Sequence, residues 1–190
     1  MLGSHNTFSY LPTNNLLRKW GRCQEVSYIE QYNQGVRCYD VRVKFSKKGD
    51  FEKSLTLVHN NIKYKGGWDT LKKFLFFAES MKCSVRLILD VRKKPKDSGR
   101  QISLFYNLVY FAQTVLSIKV VEAIIYWNWG YIIEPTVRIV EKHASVDNSV
   151  SLFRTPKKYS KKHNAQIVEE YSGIVNDDSA ILLMDFVNIK

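Results

Sequence analysis

A chain of 190 residues that is 45% hydrophobic and 25% charged carries enough apolar material for one domain with a real core, and too much for a disordered tail. The 29 basic and 18 acidic side chains leave a formal charge of +11, which favours an anionic partner: a phosphate-bearing small molecule, an acidic membrane surface or nucleic acid. Three widely spaced cysteines, Cys23, Cys38 and Cys83, suit neither a disulfide framework nor a zinc site and read as core thiols, and no apolar run approaches the roughly 18 residues of a membrane span.

No charged-then-apolar leader opens the chain, which begins close to the polar cluster GSHNTFSY at 3–10. Ser27-Tyr28-Ile29-Glu30 has the Ser-x-x-Glu spacing of a capping box, in which both side chains satisfy amide groups at a helix start; Gly35 is the stop for that helix. The run 36–45 is rich in valine and aromatics and predicts a strand, as do 55–58, 85–91, 121–127 and 180–187. Between them Leu71, Phe74, Leu75 and Ala78 recur at the spacing of a helical apolar face, and 102–116 is long enough for a further helix. YWNWGY at 126–131 reads as core packing or pocket lining in preference to an interfacial aromatic rim. From 142 to 163 the regularity fails: KKYSKKH at 157–163 reads as exposed and basic, and His143 and His163 have no partner at motif spacing. Strands separated by helices imply parallel pairing through crossovers, hence an α/β fold.

Polar residues gather where the strand-like runs end, as in VRCYDVR, LTLVHN, VRLILDVR and ILLMD. Strand side chains alternate between faces, so Asp40 and Arg42 share one, as do Leu55, Leu57 and His59, then Asp90 and Arg92, then Ile181, Leu183 and Asp185. Turned inward, those faces bring the polar groups together above an apolar floor. That is the arrangement of a (β/α) barrel, whose active site lies at the carboxyl ends of its strands, although a doubly wound open sheet also places ligands at strand ends.

His5 and His59 stand at two such ends. Imidazole titrates near neutrality, so one copy can accept a proton while the other donates; either could equally cap a turn or satisfy a core hydrogen bond. Asp40 and Arg42 make a local ion pair in any case, but beside two histidines an inward guanidinium also matches phosphate oxygens and stabilises charge without a metal. Asp185 reads either as a carboxylate that orients a histidine or as a surface acid. Asp90 and Arg92 lead into the basic loop VRKKPKD, which reads as solvated.

GSHNTFSY, then QGVRCYDVRV, then LVHN, in that order over roughly the first third of the chain, resemble the X-domain core of phosphatidylinositol-specific phospholipase C and the related PLC-like phosphodiesterases. VRLILDVRKK and LLMDFVN are similar to later strands of that family. The resemblance implies a single catalytic domain over 1–190, α/β, with a distorted or shortened (β/α) TIM-type barrel. It implies His5 as the general base that deprotonates the attacking inositol hydroxyl, His59 as the acid that protonates the leaving alcohol, and Asp185 as the carboxylate orienting His5. Arg42 falls where bacterial members have an arginine beside the phosphate and eukaryotic members an acidic calcium ligand. A guanidinium cannot ligate calcium but can take its electrostatic role, so catalysis is expected without metal or cofactor, with Asp40 supporting Arg42. Asn6, where bacterial members usually carry aspartate, is expected on the substrate side with Asp90 and with Arg92, the latter near the inositol.

The activity so implied is that of a phosphoric diester hydrolase or lyase acting in lipid metabolism, which cleaves a phospholipid head group through a cyclic phosphodiester. The expected partner is a phospholipid or other phosphodiester substrate, approached by a monomer in peripheral contact with an anionic membrane surface, secreted or membrane-peripheral. Nucleic acid is not expected, because no recognisable binding module accompanies the charge. The alternative on the same fold is a non-catalytic binder of anionic lipid or phosphosugar.

Overall fold

The computed structural model describes residues 1–128, 130–142, 155–175, 177 and 179–187. The chain opens with β1 (Leu2–Ser4), a 3-10 turn at Thr7–Tyr10, and two short helices, α1 (Arg18–Gly21) and α2 (Tyr28–Asn33). The Ser27 hydroxyl accepts the Glu30 amide and the Glu30 carboxylate accepts the Ser27 amide at 2.9 Å, which is the expected capping box of α2. Then come β2 (Val36–Phe45), α3 (Phe51–Ser54), β3 (Leu55–His59), β4 (Ile62–Lys63), α4 (Gly67–Ser80) and β5 (Ser84–Leu89). After these lie α5 (Ser98–Tyr110), which runs into a π-helical turn at Phe111–Val115, and β6 (Lys119–Ile125), β7 (Gly130–Ile133) and β8 (Arg138–Lys142). The chain closes with α6 (Pro156–Glu170), α7 (Ser172–Val175) and β9 (Ala180–Met184).

Six strands pair in parallel in the order β6-β5-β2-β1-β9-β8, as strands joined through helices should. In a flat sheet β6 and β8 would lie five spacings apart, about 24 Å. Yet the Arg86 guanidinium, inward from β5, bonds Glu122 of β6 and also Glu141 of β8, the latter at 2.5 Å, and the Thr136 amide bonds the Val121 carbonyl at 2.9 Å. The sheet is therefore curled into a half-barrel. Three pairings depart from the all-parallel expectation: β3 lies antiparallel on β2, with Val43 opposite Leu57, β4 lies antiparallel on β3, and β7 lies antiparallel on β6. The reason is connection length, because a parallel crossover needs a dozen or more residues and none of these links supplies them.

The main core lies between sheet and helices. Leu71, Phe74, Leu75 and Ala78 of α4 are all fully buried there, as the spacing predicts, and the Phe74 ring packs edge-on against Phe8, Tyr28 and Tyr39 at 5.2, 5.3 and 5.2 Å. A second, small cluster of Met1, Cys38, Val121, Ile181 and Leu183 is the floor inside the curl. Gly3 belongs above it: a Cβ there would stand 2.6 Å from Leu183 and 2.8 Å from Ile181, so β1 passes over the floor only as glycine. Leu55 and Leu57 belong instead to the main core, because β3 folds back on the outer half of β2 and does not join the barrel wall.

All three cysteines are free and buried, and Trp127 of the YWNWGY run packs on the main core; its Trp129 lies outside the described residues. So does His143. The irregular region needs correction where it is described. Thr155 caps α6 by accepting the Lys158 amide, Pro156 occupies its first turn, and within KKYSKKH Tyr159 and Ser160 are buried while Lys158, Lys161 and Lys162 remain exposed.

Candidate active site

His5 follows β1, His59 ends β3 and Asp185 follows β9. Each is succeeded by a residue with left-handed backbone: Asn6 at φ 47, Asn60 at φ 54 and Phe186 at φ 48. The chain so leaves the strand at once, and the preceding side chain keeps the inward face. Asparagine adopts this conformation readily, whereas for phenylalanine it costs on the order of 1–3 kcal/mol. Phe186 is held there by its buried ring, by its amide on the Cys23 carbonyl at 2.5 Å and by its carbonyl on Asn164 Nδ2 at 3.0 Å.

His5 Nδ1 meets Asp185 Oδ1 at 2.7 Å and its Nε2 meets an Arg42 NH2 at 2.9 Å. A guanidinium has no acceptor, so Nε2 must present its lone pair, and Nδ1 must carry the proton donated to Asp185. His5 is thus a neutral imidazole in the tautomer of a base, with Nε2 as the basic atom. Asp40 Oδ2 accepts the Arg42 Nε and NH2 groups at 3.0 Å each and the Asn6 amide at 3.1 Å. Burial alone would raise the Asp40 pKa, but the Arg42 and Arg86 charges, with the Asn6 amide, outweigh it and hold it below the ordinary value. Burial works against the Arg42 charge too; Asp40 and Asp90 more than compensate, and its pKa is raised.

The His59 ring stands edge-on to His5, centroids 5.4 Å apart. Its Nδ1 donates to the Gly21 carbonyl at 3.0 Å, a carbonyl that also accepts the Tyr64 hydroxyl, and the Cys23 thiol lies 3.8 Å from the same nitrogen. Burial, reinforced by the Arg42 charge, lowers the His59 pKa to about 4, so this ring is neutral at pH 7. Exposure falls from 9% at Arg42 and 4% at His59 to 1% at His5, so all three are buried, His5 most deeply.

Asp90 sits just past β5, its Oδ2 accepting the Asn60 amide at 2.7 Å and standing 3.9 Å from Arg42. Arg92 is exposed, outside any strand, and donates to Asn60 Oδ1 at 3.2 Å. Strand alternation therefore does not set the Asp90 and Arg92 directions, yet both line one cavity together with Asn60, the residue that follows His59. Asn6 is buried, with its side chain beside the Tyr64 hydroxyl.

The structure thus gathers His5, His59, Arg42, Asp40 and Asp185, with Asn6 and Asp90 against them and Arg92 at the rim. Sequence reasoning missed the residues that hold this set. Gln24, fully buried, donates to the His5 and Met184 carbonyls at 3.1 and 3.0 Å and accepts the Val187 amide, tying the ends of β1 and β9 together. Ser160 and Asn164 of α6 donate to the Asp185 carbonyl at 3.1 and 3.0 Å. Cys23, read as a plain core thiol, lies in the site, its pKa well above the ordinary value through burial and the neighbouring Asp185. His5, Cys23 and His59 offer ligand atoms within 4.8 Å of one another, a donor set suited to a thiophilic cation. The Arg42 guanidinium against His5 Nε2 competes for that place by charge.

No family model matches the chain, and no curated protein sequence does. Among solved structures, the phosphatidylinositol-specific phospholipase C from Listeria monocytogenes aligns with a TM-score of 0.64 at 15% identity, over 98% of this chain and 87% of its own. The phosphatidylinositol-specific phospholipase C from Staphylococcus aureus aligns with a TM-score of 0.61 at 13% identity, over 98% of this chain and 85% of its own. At such identities the likeness is one of fold, and the fold is that of the TIM-type barrel of bacterial phosphatidylinositol-specific phospholipases C.

Proposed function

We propose that this chain is a phosphodiesterase of the phospholipase C type, acting as one catalytic domain on a phospholipid head group without a metal. The observation that carries this reading is the bonded line Asp185–His5–Arg42–Asp40, with His59 across from it, on this fold. A substrate phosphate binds at Arg42, and the N–H that holds His5 Nε2 passes to a phosphate oxygen. Nε2 then removes the proton from a head-group hydroxyl, whose oxygen forms the new bond to phosphorus. The bond from phosphorus to the glycerol oxygen breaks, and that oxygen takes a proton from His59 Nε2; the resting neutral ring carries only the Nδ1 proton held by Gly21, so His59 first gains this second proton from solvent. The products are diacylglycerol and a cyclic phosphodiester. An internal nucleophile avoids the entropic cost of a second reactant, and the fixed guanidinium charge does the work asked elsewhere of a cation.

Peripheral contact with an anionic bilayer belongs to the same proposal, as does a monomer. Leu16 is 94% exposed and Leu17 is exposed beside it, next to Arg18, Lys19 and Arg22, in the segment leading directly to Gly21 and Cys23 at His59. Apolar tips flanked by cations suit a bilayer interface. Among the described residues no helix is long and apolar enough to cross a membrane.

Diacylglycerol release from phosphatidylinositol vesicles in excess chelator tests the reading: His5→Ala should lose roughly 10²- to 10⁴-fold. Equal rates for the variant and the native protein would sink it. One observation favours the second reading, a binder without turnover: His59 is neutral at pH 7 and must gain a proton before it can act as an acid. Binding of vesicles with no cleavage across a panel of phospholipids would establish that reading.

A further inference from the structure

Cys23 enters the site on a backbone fixed at both ends: its amide donates to the Ser9 hydroxyl at 2.9 Å and its carbonyl accepts the Phe186 amide at 2.5 Å. The thiol is fully buried, with Sγ 3.8 Å from His59 Nδ1, and one ligand atom from each of His5, Cys23 and His59 lies within 4.8 Å of the other two. No spacing motif announces this set, since its members stand far apart in the sequence. In a tetrahedral zinc site, bonds of about 2.3 Å to sulfur and about 2.0 Å to nitrogen hold sulfur and nitrogen roughly 3.6 Å apart and two nitrogens slightly closer. The thiol and His59 are already near that spacing, and side-chain rotation has to close the widest separation by no more than roughly 1.4 Å. When His59 Nδ1 turns to an ion, the Gly21 carbonyl keeps the Tyr64 hydroxyl as its partner. Charge also permits a cation. Arg42 opposes it, but Asp185 on His5, Asp40 on Arg42 and Asp90 at 3.9 Å from Arg42 outnumber that one guanidinium, and Arg42 can leave His5 while keeping both of its bonds to Asp40.

We propose that His5, Cys23 and His59 form an inhibitory site for a zinc ion, held by one thiolate and two imidazoles with water in the fourth position. The thiol proton leaves to solvent, and both rings stay neutral. A neutral imidazole has a single lone pair; once the His5 pair is given to the ion, none remains to deprotonate a substrate hydroxyl. His59, with its own lone pair engaged, cannot take up the second proton that it must deliver to the leaving oxygen. Calcium does not fit this set, because it is a hard cation that selects oxygen ligands. An enzyme that turns over without a metal is thus switched off by a thiophilic one. The loss of turnover rests on the phosphodiesterase reading, while the ion site stands apart from it.

Titration of the chelator-stripped protein with cobalt(II) reads the site without turnover. A thiolate-to-cobalt charge-transfer band should grow to one ion per chain, be bleached by zinc, and be absent from Cys23→Ala, which retains Cys38 and Cys83. No band in the native protein, or a band that survives in Cys23→Ala, would overturn the proposal. Cys23→Ser and His59→Gln, checked for native far-ultraviolet circular dichroism, guard against a variant that fails to fold; calorimetry should show each binding zinc at least about 10-fold more weakly than the native protein, and native affinity in either would overturn the site. In the turnover arm, zinc should inhibit cleavage of a soluble short-chain phosphatidylinositol and chelator should restore it, whereas calcium at the same concentration should leave the rate unchanged. Cys23→Ala, scored against its own zinc-free rate, should need at least about 10-fold more zinc for equal inhibition. Equal sensitivity of the two proteins, inhibition by calcium, or stimulation by zinc would contradict the inhibitory role. A Cys23-dependent band in a protein that cleaves nothing would uphold the ion site and defeat the hydrolase reading. Metal-free cleavage with no such band would do the reverse.

Discussion

Lowering the pH should unfold this protein in part through a single ring. The folded-state pKa of His59, about 4, lies below the ordinary 6.5, because burial and the Arg42 charge both oppose a proton there. In the window between those values the unfolded chain binds the proton and the folded chain does not. The stability fully present above pH 6.5 is therefore lost as pH falls through about 4. At about 1.4 kcal/mol per pKa unit the loss is roughly 3 kcal/mol, a large part of the stability of an ordinary domain. Urea unfolding of the native protein and of His59→Gln, at intervals from about pH 7.5 to 4, measures it. Glutamine keeps a donor for the Gly21 carbonyl and cannot take the proton. Asp40, with its lowered pKa, and Glu122, with a pKa raised by burial, titrate in both proteins, so the difference between the two curves isolates His59. Parallel curves, or a His59 ring that titrates near 6.5 by NMR, would refute the reasoning. The same titration repeated with inositol 1-phosphate should move the His59 pKa upward, since an anion beside Arg42 offsets the repulsion that helps keep the ring neutral.

Asp185→Asn offers His5 Nδ1 an N–H in place of an acceptor and turns the ring proton to Nε2; kcat should fall roughly 10²- to 10⁴-fold with little change in KM, and a small loss would count against Asp185 as the orienting group. Arg42→Lys keeps the charge but loses the planar fork, and a fall in kcat on the order of 10²- to 10³-fold is expected; a rate restored by calcium would contradict it. Cys23 should resist alkylation in the folded protein near pH 8, because its thiol is buried with a raised pKa, and rapid labelling would show that the site opens or that the thiol is misplaced. Replacing both Leu16 and Leu17 by serine should weaken vesicle binding by about 10-fold or more, with a smaller effect on a short-chain monomeric substrate; equal losses on both would deny them a role at the bilayer.

Periodicity made the frame legible. β2 and α4 announce themselves through alternating and 3.6-residue patterns, and the collection of ionisable residues at strand ends survives as the wall of the site. The partnership of His5 with Asp185 spans 180 positions and carries no local signal; the strand-end pattern offers Asp185 to a histidine, and only the ordered resemblance points to His5. The antiparallel turn of β3 was available from the short link after β2, but helices on both sides of it masked the length. α6 was hidden for a different reason. Its buried face is Pro156, Tyr159, Ser160, Asn164 and Ile167, and two of the five, Ser160 and Asn164, are polar because they serve the carbonyls of Asp185 and Phe186. A search for apolar periodicity passes over such a helix, although the Thr155-Pro156 start signal stands in the sequence. Gln24 is unreadable on the same principle: its partners are backbone groups from the two ends of the chain.

Phosphorus NMR of the products formed from phosphatidylinositol vesicles in excess chelator tests the central claim most directly. A cyclic inositol phosphodiester should appear first, and should be missing with His5→Ala, because the nucleophile is the head group's own hydroxyl and its base is His5 Nε2. An acyclic phosphate formed without the cyclic species, or turnover that begins only when calcium is added, would contradict the account.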